Sequence, residues 1–257
     1  MIKIHSTAII EKGARIGEGS QIGPYCLIGS KVKIGKNNYL QSNVRLDGDT
    51  TIGDNNNFFH CSSIGTDSQD LKDEGLPTKL IIGNNNTFRE FCTVNKSTSM
   101  EEPTRIGDDC LLMAYTHVAH NCILKNHVVL ANAVNIAGHC HLDDYVYIGG
   151  MSALSQFIKI GTHAFIGGMS GLQKDVPPYL RGIGIPLQIA GINIIGLQRR
   201  GFDPEQIKAI KEIFKIFYRE KLNVSQAIAK AEHQLKITKE IKVFLEFIKN
   251  SDKGIAR

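Results

Sequence analysis

The stretch Ile16-Gly17-Glu18-Gly19-Ser20-Gln21-Ile22-Gly23-Pro24-Tyr25-Cys26-Leu27-Ile28-Gly29-Ser30-Lys31-Val32-Lys33-Ile34-Gly35 puts an aliphatic residue at every sixth position and a glycine directly after each. Followed outward, the register runs from Ile4 to Leu172, through Leu40, Phe58, Ile82, Val94, Ile106, Val118, Ile136, Ile148 and Ile166. Of its 29 positions 28 are apolar, and only Asp70 breaks it. A period of six is neither the 3.6 of a helix nor the 2 of a strand. It describes a short strand followed by a tight turn. Three such units close a triangular coil of about 18 residues, and stacked coils pair their strands in parallel at roughly 4.8 Å per floor. The aliphatic residue points into the prism, and glycine serves where positive φ or close backbone approach is needed.

The cysteines follow the same register. Cys26, Cys92, Cys110, Cys122 and Cys140 stand two residues before a repeat aliphatic, a slot shared by Ala8, Ala14, Ser20, Ser62, Thr116, Ser152, Ala164 and Ser170. They read as small inward hydrophobes, not as disulfides or metal ligands. The pattern resembles the hexapeptide-repeat family, which implies a mainly β fold: a left-handed parallel β-helix of about ten coils, a handedness opposite to the usual crossover rule. The Gly-marked repeat lapses at 66–80 and 96–105. Both gaps keep the multiple of six, so each is expected to be a loop protruding from the prism, where specificity usually resides.

After Val176-Pro177-Pro178-Tyr179 the repeat ends, and beyond Pro186 the texture turns helical. Asp203-Pro204-Glu205-Gln206 is a helix start with cap and first-turn proline. Ile207, Ile210, Ile213, Phe214 and Phe217 follow at helical spacing, and 225–235 and 238–249 read as further helices. The expected organisation is a β-helix over 1–186 and a C-terminal helical domain over 187–257 that caps the open end of the solenoid.

The chain of 257 residues is 42% apolar and 21% charged, an ordinary globular balance that excludes disorder. No run approaches the roughly 18–20 apolar residues of a membrane span, and no secretion signal opens the sequence, so a cytoplasmic protein is expected. Residues 1–186 carry 16 basic against 17 acidic groups, whereas 187–257 carry 14 against 8. The basic excess therefore lies wholly in the helical part, as a solvated face or a docking surface for an acidic partner. Nucleic acid is disfavoured, because no basic cluster is interleaved with exposed aromatics.

The register also sorts the histidines. His117, His120, His139 and His141 occupy neither inward slot, while His5, His127, His163 and His233 read as surface residues. Adding 18 to His120 gives Gly138, and adding 36 gives Gln156, so these three form one column. Asn121 lies under His139 in the next, and His117 is one strand-step away. An imidazole one floor below a glycine backbone is the pairing that acyl transfer requires. The ring takes the acceptor's proton near neutral pH, and the N–H donates to the oxyanion.

Here a more specific resemblance enters. Met113-Ala114-Tyr115-Thr116-His117-Val118-Ala119-His120-Asn121-Cys122, with Gln69-Asp70-Leu71-Lys72, Ile148-Gly149-Gly150-Met151, Gln173-Lys174-Asp175-Val176-Pro177-Pro178-Tyr179 and Gly196-Leu197-Gln198-Arg199-Arg200-Gly201-Phe202, resembles the acyl-carrier-protein:UDP-N-acetylglucosamine O-acyltransferases over essentially the whole chain. The resemblance implies an enzyme of lipid A assembly that moves a 3-hydroxyacyl chain from acyl carrier protein to the 3-hydroxyl of UDP-N-acetylglucosamine. The donor is carried on 4′-phosphopantetheine, with no other cofactor and no metal. It further implies His120 as general base and Gly138 N–H as oxyanion donor. Asp70, Lys72, His117, His139 and Gln156 would line the substrate site, Arg199 and Arg200 would contact nucleotide phosphates, and Gly168 would act as acyl-chain ruler. It implies a homotrimer with its sites in the clefts between subunits.

Four positions depart from the family pattern. Asn121 replaces an acidic neighbour of the histidine, Asn95 and Ser155 replace histidines, and Ile195 replaces an acidic residue. The last two leave open N-acylation of a 3-amino analogue of the sugar nucleotide. A γ-carbonic-anhydrase-like metalloenzyme, using His117, His120, His139 and His141, and a non-catalytic scaffold are more distant alternatives.

Overall fold

The computed structural model describes all of residues 1–257. Its first 28 elements are strands, most of two residues, gathered into three walls of 11, 9 and 8 strands. Within a wall, neighbouring strands are parallel and 18 residues apart, as in Lys3–Ile4 against Gln21–Ile22, or His117–Val118 against Asn135–Ile136 and then Ala153–Leu154. Where the repeat lapses the coil lengthens by whole units. Ile52 pairs with Ile82 and Ile82 with Ile106, spacings of 30 and 24 residues. The extra residues leave the prism as the two loops, and the walls stay in register.

Each strand presents one residue outward and one inward. Lys33 is exposed and Ile34 buried; Gln21 is exposed and Ile22 buried. The inward side chains make one continuous core from Ile22 to Leu172, in which Phe58 and Phe88 stack at 4.8 Å. Burying such a side chain contributes roughly 1.5–3 kcal/mol. Cys26, Cys92, Cys110, Cys122 and Cys140 are all buried with free thiols. The same slot also holds Asn38, Asn56 and Asn86, fully buried. The Asn38 Oδ1 accepts the Asn56 backbone N–H at 2.8 Å, and the Asn56 Oδ1 accepts that of Asn86 at 2.9 Å. This asparagine ladder satisfies backbone groups at a corner that the turn geometry leaves unpaired.

Apart from Gly65, at φ 81°, the glycines after the aliphatic residues serve close approach, not positive φ. A Cβ on Gly23 would collide with the Gln41 carbonyl of the floor above. The left-handed turn residue stands two positions later and is seldom glycine: Tyr25, Asn37, Asn43, Asn55, Tyr115, Asn121, His139 and Phe157 all have φ between 54° and 67°.

Strand Leu180–Ile183 turns back on Gln188–Ile192 in the only antiparallel pair. The segment after Pro186 is thus strand before it is helix, and position 186 falls in the turn of this hairpin. Helix α1 (Ile194–Arg199) follows, capped by Asn193, and α2 (Pro204–Arg219) starts from an Asp203–Gln206 capping box. Helices α3 (Val224–Gln234) and α4 (Lys239–Lys249) complete the bundle. Ile207, Ile210, Ile213, Phe217, Phe244 and Ile248 form its core with Tyr179 and Leu180 from the last coil. The C-terminal tail closes the prism: the Asp175 N–H donates to the Gly254 carbonyl at 2.9 Å, and the Ala256 N–H to the Asp175 carbonyl at 2.8 Å.

Candidate functional site

His120 leaves the turn after strand His117–Val118, pointing away from the prism, yet it is only 4% exposed because both loops fold over it. Its Nδ1 lies 2.9 Å from the Asn121 Oδ1. That oxygen also accepts the Thr98 backbone N–H at 3.1 Å and the Thr98 hydroxyl at 2.9 Å. On its other side the Asn121 Nδ2 donates to the Glu102 carbonyl at 3.1 Å. These partners fix which end of the amide is oxygen, so the His120 Nδ1 must be the donor. In the neutral ring the proton therefore sits on Nδ1, and Nε2 presents a lone pair.

Two groups face Nε2. Asp70, from the first loop, brings its Oδ2 to 3.5 Å. Gly138, one floor up, lies so close that a Cβ there would stand 2.5 Å from both Cε1 and Nε2. The Gly138 N–H is accepted by no atom of the chain, while its carbonyl accepts the Phe157 N–H at 3.1 Å. A fixed basic nitrogen beside a free backbone donor can deprotonate a hydroxyl and stabilise the oxyanion of an attacked carbonyl.

Other histidines crowd this corner. His139 meets the His120 ring edge-on at 5.1 Å and stacks on Phe157 at 4.6 Å. The His117 Nδ1 contacts the Thr93 hydroxyl at 2.7 Å. Burial, and secondarily the nearby His120, hold both His117 and His139 below the ordinary imidazole range. That direction favours the neutral form of both rings. His141 does not join them; it faces the neighbouring wall with its Nε2 3.4 Å from Asp143. Asn95 is buried and donates from Nδ2 to the Asp67 carbonyl at 2.7 Å.

Lys72 is exposed on the first loop, its backbone N–H held by the Asp70 Oδ1 at 3.0 Å. Gln156 and Ser155 are exposed at the His120 corner, two floors up. Arg199 and Arg200 lie at a different corner, where the Arg200 guanidinium sits 4.2 Å over Tyr145. They line a groove of about 1000 Å³ with His163, Phe165, Arg181 and Ile195. Gly168 belongs to the third corner, beside the Gly150 carbonyl. One chain thus gathers Asp70, His117, His120, Gly138 and His139 but holds Arg199, Arg200 and Gly168 away from them.

Two features escaped the sequence reading. Thr98 and the Glu102 carbonyl secure the base through Asn121, and no periodicity announces them because they lie in a loop. His163, read as a surface residue, is instead sandwiched in a ladder: His127 stacks on Tyr145 at 4.4 Å, Tyr145 on His163 at 4.7 Å, and Phe202 meets His163 edge-on at 5.0 Å. The spacing of 18 between 127, 145 and 163 is the signal that would have found it.

Comparison with known proteins agrees with this architecture. Residues 103–138 match the model for bacterial transferase hexapeptide repeats, and 175–256 match that for UDP N-acetylglucosamine O-acyltransferase, domain 2. The chain is 44% identical, over the full length of both, to the acyl-[acyl-carrier-protein]–UDP-N-acetylglucosamine O-acyltransferase of Thermodesulfovibrio yellowstonii. Among solved structures it is similar to LpxA from Acinetobacter baumannii, with a TM-score of 0.96 and 42% identity over 99% of each chain. It is also similar to the Francisella novicida UDP-N-acetylglucosamine acyltransferase, with a TM-score of 0.95 and 38% identity over 100% of this chain and 94% of that one. The fold is thus the left-handed parallel β-helix with a C-terminal helical part. No helix is long and apolar enough to cross a membrane.

Proposed function

Because the chain belongs to the acyl-carrier-protein:UDP-N-acetylglucosamine O-acyltransferase family and is an acyltransferase, we propose that it moves a 3-hydroxyacyl chain from acyl carrier protein to the 3-hydroxyl of UDP-N-acetylglucosamine, the entry step of lipid A assembly. The observation that carries this reading is the His120 Nε2 lone pair, fixed by Asn121, against the backbone of Gly138. Nε2 takes the proton of the acceptor hydroxyl as its oxygen attacks the thioester carbonyl. The Gly138 N–H holds the resulting oxyanion. Asp70, 3.5 Å away, faces the imidazolium that forms. Collapse breaks the carbon–sulfur bond, and the imidazolium returns its proton to the departing thiolate of phosphopantetheine. Donor and acceptor meet directly, so no acyl-enzyme is required.

Arg199 and Arg200 suit bidentate phosphate contacts, but in a single chain they occupy another corner of the prism from His120. A homotrimer that sets one chain's His120 corner against its neighbour's Arg200 corner unites them, and this is the assembly we assign. The carrier's acidic surface would dock on α2, where Lys208, Lys211, Lys215 and Arg219 are exposed along one face.

The test is the purified protein with 3-hydroxyacyl-carrier-protein thioesters and, in parallel, UDP-N-acetylglucosamine and its 3-amino analogue, with products read by mass spectrometry. Ester formation on the hydroxyl substrate is expected, lost in His120→Ala with the fold intact. Near-normal turnover in that variant would falsify the assignment of the base, and product from the amino substrate alone would replace the hydroxyl acceptor.

A further inference from the structure

The first loop leaves the prism through a bulge. Strand Ser63–Thr66 pairs with Thr93–Asn95, and the register slips between Ile64 and Thr66, so that Gly65 is the extra residue. Gly65 has φ 81°, and a Cβ there would collide with the Asp47 carbonyl. The bulge sets the first residues of the loop against the side chain of Asn95. The Asn95 Nδ2 donates to the Asp67 carbonyl at 2.7 Å and to the Thr66 hydroxyl at 3.3 Å. Lys96 adds two more ties. Its backbone N–H donates to the Thr66 carbonyl at 3.0 Å, and its ammonium pairs with the Asp67 carboxylate at 2.8 Å. The far root of the loop is held by the next residue: the Thr78 hydroxyl donates to the Ser97 carbonyl, and the Ser97 N–H to the Lys79 carbonyl at 3.2 Å.

Asp70 stands three residues beyond the near root. Within the loop its backbone N–H donates to the Ser68 hydroxyl at 3.0 Å, and its Oδ1 accepts the Lys72 N–H at 3.0 Å. Those contacts are local and travel with the loop. The ties at Thr66 and Asp67 are what connect it to the prism. Asn95 is 2% exposed, and its Oδ1 is buried without a donor. An unpaired buried acceptor destabilises a fold, so stability alone does not account for an amide at this position. Lys96 is mostly buried, whereas its partner Asp67 is 85% exposed. A pair with one solvated member adds little to overall stability, but it restricts the root of the loop.

We propose that Asn95 and Lys96 are positioning residues for the transfer reaction: they clamp the first loop by Thr66 and Asp67 so that Asp70 stays opposite the His120 Nε2. The inference rests on the role given to Asp70 above. Asn95 holds the loop by its backbone and Lys96 holds it by backbone and side chain, so the loop swings outward only if both let go. The Asp70 Oδ2 is already 3.5 Å from Nε2. A small outward swing therefore takes the carboxylate out of reach of the imidazolium that it faces, and the attraction between the two falls with distance.

Two readouts test the clamp. Hydrogen exchange across residues 67–73 reads the loop without any substrate, and kcat reads the reaction. In Asn95→Ala, exchange is expected to quicken about tenfold and kcat to fall about tenfold. In Lys96→Met each should change about threefold, with exchange in the coils unaltered in both variants. The Asp70→Asn background separates positioning from a general defect. There Asn95→Ala should change kcat by less than about twofold, because the group being positioned is gone. Wild-type exchange and kcat in the two variants overturn the clamp. A loss of kcat that keeps its full size in the Asp70→Asn background overturns Asp70 as the group it positions. Should Asn95→Ala fail to fold, Lys96→Met decides in the same way. A wild type without transfer activity rejects the reaction itself, and exchange alone then decides the clamp.

Discussion

The His120 imidazole occupies the space that a side chain at position 138 would fill: a Cβ on Gly138 would lie 2.5 Å from both Cε1 and Nε2. Glycine is needed there for the neighbouring ring, since its φ lies outside the left-handed region. Gly138→Ala must therefore push the imidazole away from the Gly138 N–H while the coil itself stays paired. A displacement of about 1 Å costs roughly 100-fold in rate. Steady-state kinetics should show kcat down by about that factor with an unchanged melting temperature. Retention of wild-type kcat would show that the ring and the amide are not a working pair.

Asn121 is the second constraint on the ring, and its effect is on proton position. The oxygen that faces the His120 Nδ1 is held by the Thr98 N–H and hydroxyl. Asn121→Ala leaves Nδ1 without its acceptor and releases the tautomer, so kcat should fall at least about tenfold. It also leaves the Thr98 N–H and hydroxyl without their acceptor, costing about 1–3 kcal/mol of stability. Nitrogen NMR of imidazole-labelled protein reads the tautomer directly. The wild type is expected to carry the His120 proton on Nδ1, and a wild-type spectrum with the proton on Nε2 would rule the assignment out.

The columns at this site were legible in the sequence because a period of 18 is a translation along the prism: once Ile4 to Leu172 hold register, Gly138 must stand over His120 and Gln156 over Gly138. What register cannot describe is chain that leaves it. Asp70 reaches His120, and Thr98 reaches its neighbour Asn121, from loops of the lower floors, by side-chain paths that no repeat encodes. Position 121 shows the consequence. Its amide reads as a loss beside an acidic family pattern, yet folded it is a polarised acceptor with three donors, and Asp70 places the negative charge nearby. The hairpin from Leu180 to Ile192 was likewise hidden, because its strands lie outside the sixfold pattern and pair antiparallel.

Carrier docking is testable through charge. Lys211 and Lys215 are exposed on α2 and away from both corners that carry substrate-facing groups. Lys211→Glu/Lys215→Glu is expected to raise the KM for the carrier thioester about tenfold at low ionic strength, with the difference shrinking as salt screens it. The kinetics with a thioester of phosphopantetheine alone should not change. A carrier KM equal to the wild type's at low salt removes α2 as the docking face.

His163 links the aromatic ladder to acid stability. Burial first, and the nearby Arg200 guanidinium second, push its imidazole down to about 4. In the unfolded chain the same ring titrates near 6.5. Between those values the unfolded state binds the extra proton, so stability contributed by neutral His163 is present above about pH 6.5 and is lost as pH falls toward 4. Phenylalanine keeps the stacking on Tyr145 and the edge contact with Phe202 but cannot be protonated. The melting temperature of His163→Phe should therefore fall less than the wild type's between pH 6.5 and 4, with the two closest at neutral pH. Parallel curves for the two proteins across that interval would mean that His163 is not the group being protonated.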